Sequence, residues 1–247
     1  MTQTVTLPAP LARWFTAAGS CASTDTGRVA LTGVYVETGE HQHPILGTYT
    51  GVQITATDSY RLVTVGIPAT ETPADEHNGA AGFAQYCGTG RVLIPAAAIK
   101  LPARSPLSLS WHSDELTEHV GGAYQVGVPV TVTTTAKGAQ TATTVEAIPA
   151  AFPNYRNLIP TDNIGDIDPG AYNPRLLGGM MTAFGKACGD NDTVRMIGGR
   201  ENKPFRVDIV GDGYATAALI MPVRVDGGPL SHLATATDTA AAAGGAQ

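Results

Sequence analysis

The sequence predicts an α+β protein made of repeated β-α-β-β-β units. Three observations lead there. Most of the chain reads as strands rich in Val, Ile, Thr and Tyr, separated by Gly, Pro, Asn and Asp. Three stretches have helical spacing, and each opens with proline. The order strand, helix, then about three strands recurs near residues 4–68, 85–150 and 168–225.

Along the chain, Pro10–Ser23 is the first helix, because Leu11, Trp14, Phe15 and Ala18 fall at i, i+3, i+4 and i+7 and form one apolar stripe. Val29–Val36 and Gly51–Val65 follow as strands. His41 and His43 are expected in a solvated, glycine-bounded turn between them. Residues 69–84, mostly Ala, Thr, Glu, Pro and Gly, read as an exposed loop. Arg91–Ile94 is a strand, Pro95–Ala103 a second, short helix, and Leu107–Trp111, Tyr124–Thr135 and Thr141–Ile148 are strands. Residues 161–170 read as a linker. Pro174–Gly189 is the third helix: it carries Leu176, Leu177, Met180, Met181, Phe184 and Cys188 on one face and ends at a glycine. Phe205–Val210 and Ala215–Val225 close the pattern. The resulting division is 1–160 as a domain of two units, 161–226 as half of a second domain, and 227–247 as a disordered Ala/Gly-rich tail.

Composition bounds the function. The 247 residues, 43% hydrophobic and 15% charged, can bury a large core, which excludes disorder as the dominant state. No apolar run approaches the roughly 20 residues of a membrane span. The first thirty residues lack the basic start, apolar stretch and small-residue site of an export signal, so the chain is expected in the cytoplasm. Cys21, Cys87 and Cys188 are odd in number and outside any C-x-x-C pair, which argues against a disulfide framework or a structural zinc site.

Charge is segregated. The three helical segments, with Arg104 closing the second, carry Arg13, Lys100, Arg104, Arg175 and Lys186 and no Asp or Glu. The remaining residues hold 10 basic and 21 acidic side chains, a net of −11 against +5 on the helices. If the helices share one face, they offer a positive surface to a polyanion while the outside stays acidic; a phosphate backbone is the natural partner, held weakly, non-specifically and salt-sensitively.

No catalytic constellation, metal site or cofactor is expected. G-x-S-x-G and H-E-x-x-H are absent. Gly179–Lys186 resembles a phosphate-binding loop, but the glycine spacing is one residue too long and Ala187 stands where Ser or Thr would hold magnesium. His41 and His43 have no fixed third ligand in view. His112, Asp114, Glu115, Glu118 and His119 form a cluster that could carry acid-base hydrolysis but reads better as a solvated turn. The triplet Asn191-Asp192-Thr193 has no meaning without export.

Three segments are more specific: Ala56-Thr57-Asp58-Ser59-Tyr60-Arg61-Leu62, Phe152-Pro153-Asn154-Tyr155-Arg156-Asn157-Leu158-Ile159-Pro160, and Ala218-Leu219-Ile220-Met221-Pro222-Val223-Arg224. Together and in this order they resemble the bacterial β sliding clamp, the processivity subunit of DNA polymerase III, whose patterns are A-T-D-G-H-R-L, F-P-D-Y-R-x-[VL]-[IL]-P and V-M-P-M-R-[LV]. Ser59-Tyr60 stands for Gly-His, Asn154 for Asp and Val223 for Met. Val92-Leu93-Ile94-Pro95 before a short helix also looks like a family segment, and the likeness runs from about residue 5 to 225.

The resemblance implies the DNA-clamp fold, with antiparallel sheets outside and helices on the inner face, a homo-oligomeric ring around duplex DNA, and a non-enzymatic processivity role without a membrane. A viral origin would suit the short chain. It also implies a groove for short peptides of the polymerase and the clamp loader, carried onto Leu31, Thr57, Ser59, Tyr60, Arg61, Leu62, Pro153, Asn157, Leu158, Leu219, Ile220, Met221, Pro222 and Arg224. There aliphatic and proline walls would bury hydrophobic anchors, and Arg61 and Arg224 would fix polar ends. A full family subunit has six strand-helix-strand units where this chain shows three. The alternative is therefore a clamp-derived adaptor that keeps the groove and forms no ring.

Overall fold

The computed structural model describes residues 2–72, 84–102, 104–112, 116–119, 122–125, 127–160, 172–197 and 204–223. The chain begins with β1 (Thr2–Leu7), α1 (Ala9–Gly19), a 3-10 segment Thr26–Leu31, β2 (Gly33–His43), β3 (Gly47–Thr57) and β4 (Arg61–Pro68). It continues through β5 (Thr70–Glu71), β6 (Gln85–Cys87), β7 (Gly90–Pro95), a 3-10 turn Ala96–Ala98, β8 (Leu107–His112), β9 (Leu116–His119), β10 (Gly122–Gln125), β11 (Pro129–Ala136) and β12 (Ala139–Glu146). A 3-10 turn Arg156–Leu158 precedes α2 (Pro174–Ala187), β13 (Thr193–Ile197), β14 (Phe205–Gly211) and β15 (Tyr214–Ile220).

The strands form a six-stranded sheet, β12-β11-β8-β1-β6-β5, a seven-stranded sheet, β13-β14-β15-β4-β3-β2-β7, and a small β9-β10 pair. All neighbours are antiparallel except β5 and β6. In the larger sheet β15 from the end of the chain lies beside β4 from its first third, with Leu219 opposite Leu62 and Ala218 opposite Val63.

The two helices pack against each other because their apolar stripes meet. Trp14 of α1 lies 5.6 Å from the ring of Phe184 on α2 and 4.8 Å from Tyr214 on β15. Pro10 starts α1, and Asn173 caps α2 by accepting from the backbone N–H of Arg175 and Leu176. One buried cluster runs from Val5 and Leu7 through Phe15, Ile54, Ile94 and Trp111 to Met180, Phe184 and Ile209. It therefore draws on residues from both sides of position 160.

Several expectations are corrected. The helix expected over Pro95–Ala103 is a single 3-10 turn, Ala96–Ala98. Ile99 is already extended, at φ −104 and ψ 110, and Pro102 disfavours a helical Leu101 and removes an N–H. Lys100 and Arg104 thus follow an irregular segment. His41 and His43 lie inside β2, buried to 6% and 3% exposure. Both pack on Tyr49 of β3. β13 is an additional strand, paired to β14. The expected linker 161–170, the tail 227–247, Asp114, Glu115 and Arg224 lie outside the described residues. No helix among the described residues is long and apolar enough to cross a membrane.

The buried histidines tie stability to pH. The backbone N–H of Ile45 donates to His43 Nδ1 at 3.3 Å, which puts the proton of the neutral ring on the buried Nε2. Burial is the main force holding the His43 pKa down, from 6.5 to about 4, and it lowers His41 as well. A depressed histidine favours folding when neutral, so its contribution is present above pH 6.5 and is lost as pH falls toward 4. Urea unfolding should show about 2 kcal/mol less stability at pH 5 than at pH 7 from this group. His43→Gln should flatten that difference; an unchanged slope in the variant would assign it to other groups.

Candidate functional site

The three motif segments meet on the outer face of the seven-stranded sheet. The β3-β4 turn places Ser59 at φ 77, a left-handed conformation that glycine adopts without cost. The chain thus keeps the backbone that suits the glycine of the clamp pattern, while the Ser59 hydroxyl accepts from Arg28 at 3.2 Å. The Met221 N–H donates to the Tyr60 carbonyl at 2.8 Å, which locks the third segment to the turn.

The second segment is strapped across the same face. Phe152 stacks on Tyr35 at 4.9 Å, and the buried Tyr155 hydroxyl donates to Glu37 Oε2 at 3.1 Å while accepting from Gln53 Nε2. Arg156 pairs with Glu37 at 2.7 Å, and Arg206, itself held by Asp208 at 2.7 Å, donates to the Pro160 carbonyl. Leu62, Tyr155, Ile159 and Leu219 form a second buried cluster under the strap. Beside it lies a small cavity of about 150 Å³ lined by His43, Gln53, Thr64 and Tyr155. Burial and the nearby Glu37 carboxylate raise the Tyr155 pKa, so the hydroxyl stays a donor.

Above this floor, large apolar side chains are left open to solvent: Tyr60 is 55% exposed, Leu158 60% and Met221 43%. Ser59, Pro153 and Asn157 are exposed as well, and Pro222 is half-buried. Thr57, Leu31, Leu62 and Leu219 are buried beneath. Two expected wall residues point elsewhere. Ile220 belongs to the main core, on the opposite side of the sheet from Leu219. Arg61 is bound by Asp58 at 2.8 Å and faces Gly179 of α2. Sequence reading missed Tyr155, the anchor of the strap, and Arg28, which reaches the turn; the aromatic inside F-P-N-Y-R was the available signal for the first.

On the helix side the expected cations converge. Arg13, Arg104 and Lys186 line one cleft of about 530 Å³ between α1, α2 and the residues Leu101, Pro102, Arg104 and Ser105, and among the described residues no acidic side chain lines it. Arg175 lies eleven residues before Lys186, about 16 Å along the axis on nearly the same stripe. Lys100 is exposed on the neighbouring irregular segment. Among the described residues, the acidic partners Asp25, Asp58, Glu37 and Asp208 hold Arg28, Arg61, Arg156 and Arg206, and none of the five cations is in an ion pair. Of the acidic cluster beyond β8, His112 is exposed and accepts from Thr2 or donates to it, and no metal-ligating group is found among the described residues.

Neither protein-family models nor curated proteins match the sequence. Solved structures do match its fold. The Helicobacter pylori β clamp bound to a DNA ligase peptide superposes with a TM-score of 0.56 at 13% identity, over 90% of this chain and 65% of that one. The DNA polymerase III β subunit of Thermotoga maritima gives 0.50 at 12%, over 90% and 65%. The Bartonella birtlesii sliding clamp bound to griselimycin gives 0.50 at 15%, over 90% and 66%. The chain therefore has the sliding-clamp fold and spans about two thirds of the length of these structures.

The strap yields a direct test. Tyr155→Ala should cost about 3–5 kcal/mol in urea unfolding, as for other buried aromatics, and Tyr155→Phe about 1–2 kcal/mol, for the lost hydrogen bonds to Gln53 and Glu37. Equal costs for the two variants would contradict the role given to the hydroxyl.

Proposed function

We propose that this chain is a sliding-clamp-like processivity factor that contacts duplex DNA non-specifically and binds the peptide tails of a DNA polymerase and a clamp loader. It acts without a cofactor and catalyses no reaction. The observation that carries the reading is the meeting of three segments distant in sequence at one exposed apolar patch: Leu62 opposite Leu219, Met221 bonded to Tyr60, and the strap from Phe152 to Pro160 laid across them.

Such a patch suits a short peptide. Burying one Leu or Phe anchor against Tyr60, Leu158 and Met221 supplies roughly 1.5–3 kcal/mol, enough for an exchangeable partner and too little for a permanent one. Arg61 is engaged by Asp58 and Arg28 by Asp25, so the backbone of the turn and the Ser59 hydroxyl beside Arg28 are the polar groups on this side. The Helicobacter pylori clamp holds a DNA ligase peptide, which supports a peptide-receiving role for the fold.

DNA contact rests on Arg13, Lys100, Arg104, Arg175 and Lys186, which have no acidic partner among the described residues and sit on or beside the paired helices. Ring formation needs free sheet edges at two ends. β12 and β13 end the two sheets, and Val194 and Met196 of β13 are about half exposed next to the buried Ile209 and Val207. Edges that differ in this way pair heterologously, head to tail, and close a ring if the rotation allows.

Two measurements test the reading. Met221→Lys and Leu158→Asp should each weaken binding of a fluorescent polymerase-tail peptide at least tenfold with melting unchanged; wild-type affinity in both would remove the patch as the peptide site. Light scattering should give a multiple of 25.4 kDa that persists on dilution. A monomer at every concentration would exclude the ring and leave the adaptor.

A further inference from the structure

We propose that the cleft between α1, α2 and the residues Leu101, Pro102, Arg104 and Ser105 is a discrete seat for a phosphate group, with Arg13 and Ser105 as its specific donors, and not simply part of a smooth positive wall. Two buried donors on lining residues have no partner among the described residues: Arg13 Nε and Ser105 Oγ. Ser105 is 3% exposed, in a turn closed by its own N–H donating to the Pro102 carbonyl at 3.2 Å. An unpaired buried donor costs free energy that the fold does not recover internally, and a phosphate oxygen in the cleft accepts from both.

The rest of the lining agrees. Arg104 lines the cleft from a left-handed conformation at φ 61. Lys186 stands opposite on α2, and Thr182 adds a hydroxyl one turn earlier. Three cations without a carboxylate select a doubly or singly charged anion over a neutral ligand. The volume of about 530 Å³ exceeds what a lone phosphate needs and matches a nucleotide unit.

The phosphate could come from a DNA backbone or from a free nucleotide, and the chemistry recognised is the same. The seat rests on the cleft atoms and not on ring formation; only the backbone source rests on the DNA reading. The experiment is calorimetric titration of the full chain with thymidine 5′-monophosphate, inorganic phosphate as competitor, and a short DNA duplex at fixed ionic strength. Ser105→Ala and Arg13→Lys are compared with Lys186→Gln, and melting curves confirm that each variant is folded.

Saturable binding of the nucleotide, displaced by phosphate and weakened about tenfold in Ser105→Ala and Arg13→Lys, is the expected result. If duplex affinity falls in parallel, or alone, the seat takes a backbone phosphate; if duplex affinity is unchanged, it takes a free one. The proposal is overturned if Ser105→Ala and Arg13→Lys leave both ligands at wild-type affinity. In that case duplex binding that weakens only in Lys186→Gln preserves the DNA reading as diffuse charge, and no duplex binding at all removes both.

Discussion

The pairing of β4 with β15 is the constraint on which the rest of this molecule depends. It joins strands separated by about 150 residues of chain, with Leu62 against Leu219 and Ile220 opposite Arg61. On one side of the sheet it presents Leu62 and Leu219 to the strap; on the other it brings Ala218 and Ile220 under the helices. Because α1 follows β1 and α2 precedes β13, closing this seam also presses the two helices together through Trp14 and Phe184. The apolar patch and the cationic cleft are then two consequences of one long-range contact. Such contacts carry a high loop-closure cost and form late unless packing on both faces rewards them.

Both faces do. The main core packs against one, and the strap covers the other with a phenol hydroxyl that two strands share. Burying the Arg206–Asp208 pair would be expensive alone, but Arg206 also satisfies the Pro160 carbonyl and so fixes the end of the strap. The strap holds Leu158 outward on a 3-10 turn, which explains why a large aliphatic residue remains exposed in a chain with ample core to hide it.

Much of this was legible in the sequence. The apolar stripes of α1 and α2 forecast helices within a few residues, and three of the five cations read from the helical segments, Arg13, Arg104 and Lys186, line one cleft. The three motif segments forecast a common site, and they do meet. Three things were not legible, for physical reasons. The short second helix fails because Ile99 and Pro102 oppose it, a local signal that three alanines obscured. His41 and His43 are polar residues on an inward-facing register of β2, and only the pairing with β3 reveals that. Side-chain direction within a motif also exceeds what a pattern gives: Leu219 and Ile220 alternate across the sheet, as the period of a strand requires, so both cannot wall one groove. Ser105 carried no sequence signal; its meaning lies in a missing partner.

The chain has the clamp fold at about two thirds of the length of those structures, with helices that carry no acidic residue and an outer face that holds the Arg156–Glu37 and Arg206–Asp208 pairs. The central claim is that the β4-β15 seam creates both sites. Residue-resolved hydrogen exchange tests it most directly: the amides that bond across the seam, those of Leu62, Thr64, Ala217 and Leu219, should open only with global unfolding. Fast exchange at these amides, while the α1 and β8 amides stay protected, would show that the seam is dispensable and would contradict the account.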